Sequence, residues 1–292
     1  MKKCDHNYLL CGIIFMTITL TGSDAFAENP KPDEIINLWS SQPGITLEVF
    51  LPKTANTGTG IIICPGGGYY GLMKTYEGYD IVNWLNSLGI AAFVLTYHVT
   101  AGEPNIVLYP WPIKDGRKAV SIIRSQADKY SLKQNQIGIM GFSAGGHLAS
   151  SIGTHWQKPD TDDIVENASC RPDFMILIYP VITFQKEYTH IGSRENLIGR
   201  DANDSRVNEF SNELQVDADT PQAFIVHATD DTVVPVENAL MFYAALKKAG
   251  VNSEMHIFSK GGHGFGMGFQ KDMHCDWRPN CVQWLKNLKL VE

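Results

Sequence analysis

From Ile45 onward, short apolar runs rich in β-branched residues alternate with longer stretches in which apolar side chains recur every three or four positions. The first kind suits strands buried on both faces and the second suits helices lying on them. The pattern therefore predicts an α/β protein, a mainly parallel sheet with helices on both faces. Strands are expected at Thr46–Leu51, Gly60–Cys64, Ile90–His98, Gln136–Phe142, Phe174–Tyr179, Gln222–His227 and Ser253–Phe258. Helices are expected at Asp80–Leu88, stopped by Gly89, at Lys114–Tyr130, at Ala144–His155, and at Val236–Ala249, stopped by Gly250.

No internal repeat, low-complexity tract or linker divides the chain, so residues 28–292 read as a single catalytic-size domain. The rhythm breaks once, between Val181 and Thr220, where residues of mixed polarity separate two strand candidates. So long a stretch inside a compact domain reads as a functional loop or lid, or else as a surface excursion with weak helices.

The N-terminus carries Lys2 and Lys3, an apolar run from Leu9 to Leu20 and the small-residue site Ala25-Phe26-Ala27. These are the parts of a cleavable secretory signal, residues 1–27, with the mature chain beginning at Glu28. The alternative, a membrane anchor, needs about 20 apolar residues, and a lipid on Cys11 lacks the small residues expected before it. At 44% hydrophobic, 19% charged and a net charge of −7, the 292-residue chain has globular composition and no clustered basic surface for a nucleic acid. Export leaves Cys64, Cys170, Cys275 and Cys281 in an oxidising compartment. Cys64 ends an apolar run and reads as core, whereas Cys275 and Cys281, at the start of the last helix, are the better candidates for a bridge, although Cys170 could pair with either. Zinc held by His274, Cys275 and Cys281 is the sharper alternative, but their spacing matches none of the usual frames.

Chemistry enters at Gly141-Phe142-Ser143-Ala144-Gly145, which follows an apolar run and opens a helical pattern. That is the strand-turn-helix setting of a nucleophile elbow, where side chains at the glycine positions would strike the neighbouring strand and helix. A serine hydroxyl needs a base to take its proton, so the motif predicts a histidine and a carboxylate further along. Asp230 and Asp231 follow the run Phe224–Ala228, and His263 stands in a glycine-rich loop after Met255–Phe258. Ser143, Asp231 and His263 are thus in the chain order of that fold, with His227, inside its apolar run, read as core packing. The glycines of Cys64-Pro65-Gly66-Gly67-Gly68-Tyr69 follow an early strand. The N–H groups of Gly67 or Gly68, with that of Ala144, are the expected oxyanion hole; a phosphate loop would require a G-K-[ST] that is absent. Tyr69, Tyr70, Tyr97, Tyr109 and Trp111 fall near the same sheet edge, where aromatic rings stack on sugar faces, with Tyr69, Tyr70 and Trp111 the leading candidates.

The segments PGGGYYGL, YEGYDIVNWLNSLGIAAFVLTYHV, IMGFSAGGHLAS, HATDDTVVPVENALMFYAALKKAGVNSEMHIF and GGHGFG together resemble the bacterial carbohydrate-esterase branch of the α/β-hydrolases, the acetylxylan esterase type. The resemblance implies hydrolysis of acetyl or other short acyl esters on plant cell-wall polysaccharides or oligosaccharides, with neither metal nor organic cofactor. Its H-x-x-x-D-x-x-V-P pattern gives the triad acid to Asp231 and leaves Asp230 as a turn residue or supporting acceptor. His98 departs from it, standing where an arginine is expected. A serine exopeptidase of the prolyl-peptidase type shares the elbow, the acid pair and the late histidine, but its long propeller has no counterpart here. A hydrolase-fold binding protein without turnover would have little reason to keep all three triad residue types.

Overall fold

The computed structural model describes residues 29–53, 55–157, 165, 168–268 and 275–292; the expected leader, Glu28 and His274 lie outside them. Eight strands, β1 (Glu34–Asn37), β2 (Thr46–Phe50), β3 (Gly60–Cys64), β4 (Ala91–Thr96), β5 (Ile137–Phe142), β6 (Phe174–Ile178), β7 (Gln222–Ala228) and β8 (Glu254–Phe258), form one sheet. Their order is β1-β2-β4-β3-β5-β6-β7-β8. All pairs from β4 to β8 are parallel, whereas β1 with β2 and β2 with β4 are antiparallel. The central strands β3, β5 and β6 are buried at every position, as expected for parallel strands covered on both sides. The expected architecture is present.

The helices among the described residues are α1 (Asp80–Ser87), α2 (Trp111–Ser125), α3 (Ala144–Thr154), α4 (Ile191–Ile198), α5 (Asp204–Glu209), α6 (Glu237–Lys248) and α7 (Arg278–Asn287). Side chains alternate along a strand, so the sheet makes two cores. Ile62, Ile139, Leu177 and Ile225 join residues of α2, α3 and α6 on one face. Ile61, Met140, Ile176 and Val226 join residues of α1 and α7 on the other. Helix α2 starts earlier than expected, with Pro112 in its first turn where a missing N–H costs nothing. It also ends earlier, at Ser125; the remainder becomes a 3₁₀ turn, Asp128–Tyr130, closed by Ser131 at φ 55°.

Residues 181–220 are tied into this body. Val181 to Phe184 are fully buried, and Leu197, Ile198, Val207 and Phe210 belong to the α2/α3/α6 core. Asn238 of α6 accepts the N–H groups of Ile182 and Thr183 at 2.9 and 3.0 Å. Asn212 donates to the carbonyl of His147 and to Ser150 and Ser151 of α3.

Cys275 and Cys281 are free and buried, which corrects the expected Cys275–Cys281 bridge. Cys275 packs beneath Gly261, whose Cβ position lies 3.5 Å from its sulfur. Cys281 sits on the inner side of α7, and both join the α1/α7 core as small apolar residues. Burial raises both thiol pKa values, Cys281 well above the usual range, which disfavours the thiolate that exchange requires. Alkylation of the unreduced chain in denaturant should therefore modify Cys275 and Cys281 once each. A non-reduced peptide joining Cys275 to Cys281 would contradict this.

Candidate active site

Ser143 occupies the turn between β5 and α3 with φ 51° and ψ −119°, a region an L-residue enters only when its surroundings enforce it. The flanking glycines permit the close packing that does so. A Cβ on Gly141 would come 2.2 Å from the carbonyl oxygen of Gly145, and one on Gly145 would come 2.0 Å from that of Cys64 in β3. The Ser143 N–H donates to Ile178 O, and its own carbonyl accepts from Gly146, His147 and Val181.

The three expected side chains meet. Ser143 Oγ is 2.8 Å from His263 Nε2, and His263 Nδ1 is 2.7 Å from Asp231 Oδ2. With the carboxylate accepting at Nδ1–H, Nε2 is free to accept the serine proton. Ser143 and Asp231 are each only 6% exposed. Burial raises the Asp231 pKa, but hydrogen bonds from His227, His263 and the Val234 N–H, with the charge of His263, outweigh it and leave the acid well below the usual carboxylate range. The acid is thus fixed as an acceptor through the working pH range.

His227 is the residue the sequence reading missed. It is fully buried in β7, as expected, yet its Nε2 lies 3.1 Å from Asp231 Oδ2 and 2.9 Å from the carbonyl of Val234. Both partners are acceptors, so Nε2 carries the proton. Oδ1 of Asp231 meanwhile accepts the N–H groups of Val233 and Val234, each at 2.9 Å. The signal was present in the H-x-x-x-D spacing, which brings the two side chains together across the β7 turn. Asp230 has a different role. Its Oδ1 accepts the N–H groups of Gly261 and Gly262, both at 2.8 Å, anchoring the loop that carries His263.

Gly67 and Gly68 turn the early loop at φ 129° and 65°. Among the described residues none accepts the N–H of Gly67, Gly68 or Ala144. These donors stand close to the serine, since a Cβ on the preceding Gly66 would lie 3.0 Å from Ser143 Cβ. Residues 181–220 reach the same place. The Asn196 amide donates to Gly68 O at 2.9 Å, and the His190 ring lies 3.8 Å from a Cβ placed on Gly68.

Of the aromatic candidates, Tyr69 is corrected: it is fully buried, its hydroxyl bonded at 2.9 Å to His147 Nδ1, so the ring cannot meet a substrate. Tyr97 is likewise buried, donating to Pro65 O at 2.6 Å. The Tyr109 ring packs on Phe210 beneath the Arg206 guanidinium. Trp111, 38% exposed, stacks on His98 and meets Trp39 edge-on. Tyr70 is 61% exposed and borders a polar cleft of about 630 Å³ that Asn196 also lines, with Glu103, Glu195 and Arg200. His98, the departure from the expected arginine, holds the buried Asp115 at 2.6 Å. No group of three or more metal-ligating side chains occurs among the described residues.

A mainly parallel sheet with a serine at its strained elbow, an acid after β7 and a histidine after β8 defines the α/β-hydrolase fold. Within it, the chain belongs to the BD-FAE family, whose model matches residues 47–246. It is 36% identical over 243 residues to an acetylxylan esterase of Xylanibacter ruminicola, covering 82% of this chain and 47% of that protein. Similarity to endo-1,4-beta-xylanase B of Butyrivibrio fibrisolvens is 37% over 205 residues, 70% of this chain and 32% of the xylanase. The chain spans about half the length or less of these two curated relatives. The crystal structure of an acetyl ester-xyloside bifunctional hydrolase from Caldicellulosiruptor lactoaceticus superposes with a TM-score of 0.82 at 37% identity, covering 89% of this chain and 98% of that one.

The two neighbouring acids should separate on substitution. Asp231→Asn should slow fluorophosphonate labelling of Ser143 by about three to four orders of magnitude, because the amide favours the wrong histidine tautomer. Asp230→Asn retains an oxygen acceptor for Gly261 and Gly262 and should slow it far less. The reverse ranking, read from the labelling rates, would transfer the orienting role to Asp230.

Proposed function

We propose that the protein is an exported serine esterase that removes acetyl or other short acyl groups from plant cell-wall polysaccharides or oligosaccharides. The observation that carries the reading is the unbroken relay from Ser143 Oγ through His263 to Asp231. Ser143 Oγ attacks the ester carbonyl as its proton passes to His263 Nε2. The oxyanion of the tetrahedral intermediate is met by the N–H groups of Ala144 and of Gly67 or Gly68. Collapse breaks the bond to the sugar oxygen, which leaves with the proton from His263. Water, deprotonated by the same imidazole, then attacks the acyl-enzyme, and the acid departs as Ser143 regains its proton. Asp231 keeps Nδ1 protonated throughout and stabilises the transient imidazolium.

The named activities of the relatives support an ester of xylan as substrate. So does the polar cleft beside Tyr70, which suits a hydroxylated leaving group better than an alkyl chain. Residues 181–220 would form the cover on that side, and Tyr70 and Trp111 the aromatic surfaces. Among the described residues no helix is long and apolar enough to cross a membrane, and the N-terminal pattern supports export to the periplasm or medium.

Ser143→Ala and His263→Ala should each abolish essentially all ester turnover with the fold retained, and the double variant should be no worse than either, because both act in one step. With the intact enzyme, kcat/KM should fall steeply from acetyl to octanoyl p-nitrophenyl esters, and acetylated xylo-oligosaccharides should release acetate. Comparable rates on the octanoyl ester, with no acetate from any acetylated glycan, would remove the carbohydrate substrate and leave only a serine hydrolase.

A further inference from the structure

Glu77 is a carboxylate that this chemistry does not use and the fold nevertheless buries, with 2% of its surface exposed. It lies in a single π-helical turn, Thr75–Tyr79, that runs directly into α1; such turns recur at functional sites because the extra residue redirects a side chain. Its two oxygens reach in different directions. Oε2 accepts the N–H of Gly66 at 2.7 Å, at the base of the glycine loop that carries the Gly67 and Gly68 donors. Oε1 accepts the Tyr179 hydroxyl at 2.8 Å, and that same hydroxyl accepts the N–H of Gly266 at 3.0 Å, three residues beyond His263. The Tyr179 ring stands edge-on to the imidazole with centroids 5.0 Å apart, on a backbone held at φ 37°. The serine is close as well: a Cβ on Gly66 would lie 2.7 Å from Glu77 Oε2 and 3.0 Å from Ser143 Cβ.

We propose that Glu77, as an ionised carboxylate, is the positioning residue that holds the oxyanion loop and the His263 loop in one geometry, through Gly66 on one side and Tyr179 and Gly266 on the other. The proposal rests on the serine-esterase reading. A neutral amide cannot replace the carboxylate. The side chain introduced by Glu77→Gln would satisfy Gly66 with its oxygen but point N–H donors at Tyr179, whose hydroxyl proton then loses its acceptor.

The ionisable groups facing Glu77 are Tyr76 of its own turn, Tyr97 beyond β4, Tyr179 at the end of β6 and His263 from the loop after β8. Lys74, at the head of the same turn, is directed instead to Glu48 at 2.6 Å. Burial pushes the Glu77 pKa up to about 6, against the opposing hydrogen bonds from Tyr179 and Gly66 and the charge of His263. A raised carboxyl pKa stabilises the fold below the ordinary carboxyl range, and that contribution is lost as pH rises through about 6. At pH 7.5 that contribution is gone, and activity that needs the charge should fall as pH drops through about 6.

The test compares wild type, Glu77→Gln, Tyr179→Phe and Ser143→Ala on p-nitrophenyl acetate from pH 5 to 9, with Tm measured at pH 7.5. Glu77→Gln should lose kcat on the order of 10²-fold, the scale of a misplaced catalytic group, with KM nearly unchanged and Tm at or below wild type, since the buried Tyr179 hydroxyl loses its acceptor. A merely structural carboxylate would lower Tm and leave both the kcat of the folded enzyme and its pH profile unchanged. The acid limb of log kcat should be shallower by about one unit of slope in Glu77→Gln than in wild type, because one ionised group that turnover needs has been removed. Tyr179→Phe, which keeps the Gly66 contact, should also lose kcat, and it decides the matter if Glu77→Gln does not fold. Wild-type kcat in Tyr179→Phe, or in a folded Glu77→Gln, with Ser143→Ala inactive, overturns the role of Glu77 alone. Turnover by Ser143→Ala at the wild-type rate, or none by wild type on any ester, overturns the esterase reading and this proposal with it.

Discussion

The strained backbone at Ser143 is the constraint around which the molecule is arranged. A residue held at φ 51° costs on the order of 1–3 kcal/mol, and it persists because it is pinned from several directions. Its N–H is taken by β6, its carbonyl by the first turn of α3 and by Val181, and α3 is seated against β3 closely enough that only glycine fits at 141 and 145. The central parallel strands supply the rigidity for this, being buried at every position between two helical layers. The same arrangement brings the N-terminus of α3 and the glycine loop after β3 together, so the Ser143 hydroxyl and the N–H groups of that loop are positioned by a single packing contact.

Buried histidines carry the rest of the arrangement. His147, on α3, accepts from Tyr69 in the glycine loop, has Nε2 2.9 Å from Phe210 O, and stacks on Phe184. Burial lowers its pKa to about 3, so it is neutral, and each ring nitrogen has one defined role. It joins the glycine loop, the serine helix and residues 181–220 in one contact. His227 has the corresponding role for the acid. Residues 181–220 are therefore bonded into the same core that strains the serine, and Tyr69 belongs to that framework although its place in the chain suggested the pocket.

The sequence made legible what depends on local pattern. Five-residue apolar runs announced the buried strands, glycines announced the elbow, and chain order placed Ser143, Asp231 and His263 together. What it hid depends on pairing across the fold. Strand β1 is a four-residue edge with half its positions exposed, too short for a clear period. Cys275 and Cys281 look like a bridge by spacing, but each faces the core from a different contact. His227 looked like packing because burial and hydrogen bonding to Asp231 are indistinguishable in an apolar run. Glu77 sits amid tyrosines with no adjacent cation in sequence, and only the folded chain brings Gly66 and Tyr179 to its two oxygens.

Asp231 and Glu77 show why burial alone does not decide the state of a carboxylate. Both lose hydration, which in each case is the largest influence and favours the neutral acid. Asp231 accepts from two imidazole N–H groups and two backbone N–H groups, with the charge of His263 added, and its pKa falls. Glu77 accepts from one N–H and one phenol, and its pKa rises to about 6. The difference follows from the number and kind of donors, and it suits what surrounds each group. In the proposed mechanism the acid on His263 stays ionised while the imidazole gains and loses a proton, a state that its four donors favour. Glu77 lies where two loops meet and faces His263, which in the proposed mechanism becomes a cation as it takes the serine proton. On that mechanism its charge would be least costly at the moment the imidazolium forms, which is when a fixed distance between the N–H groups of the glycine loop and the histidine would matter most.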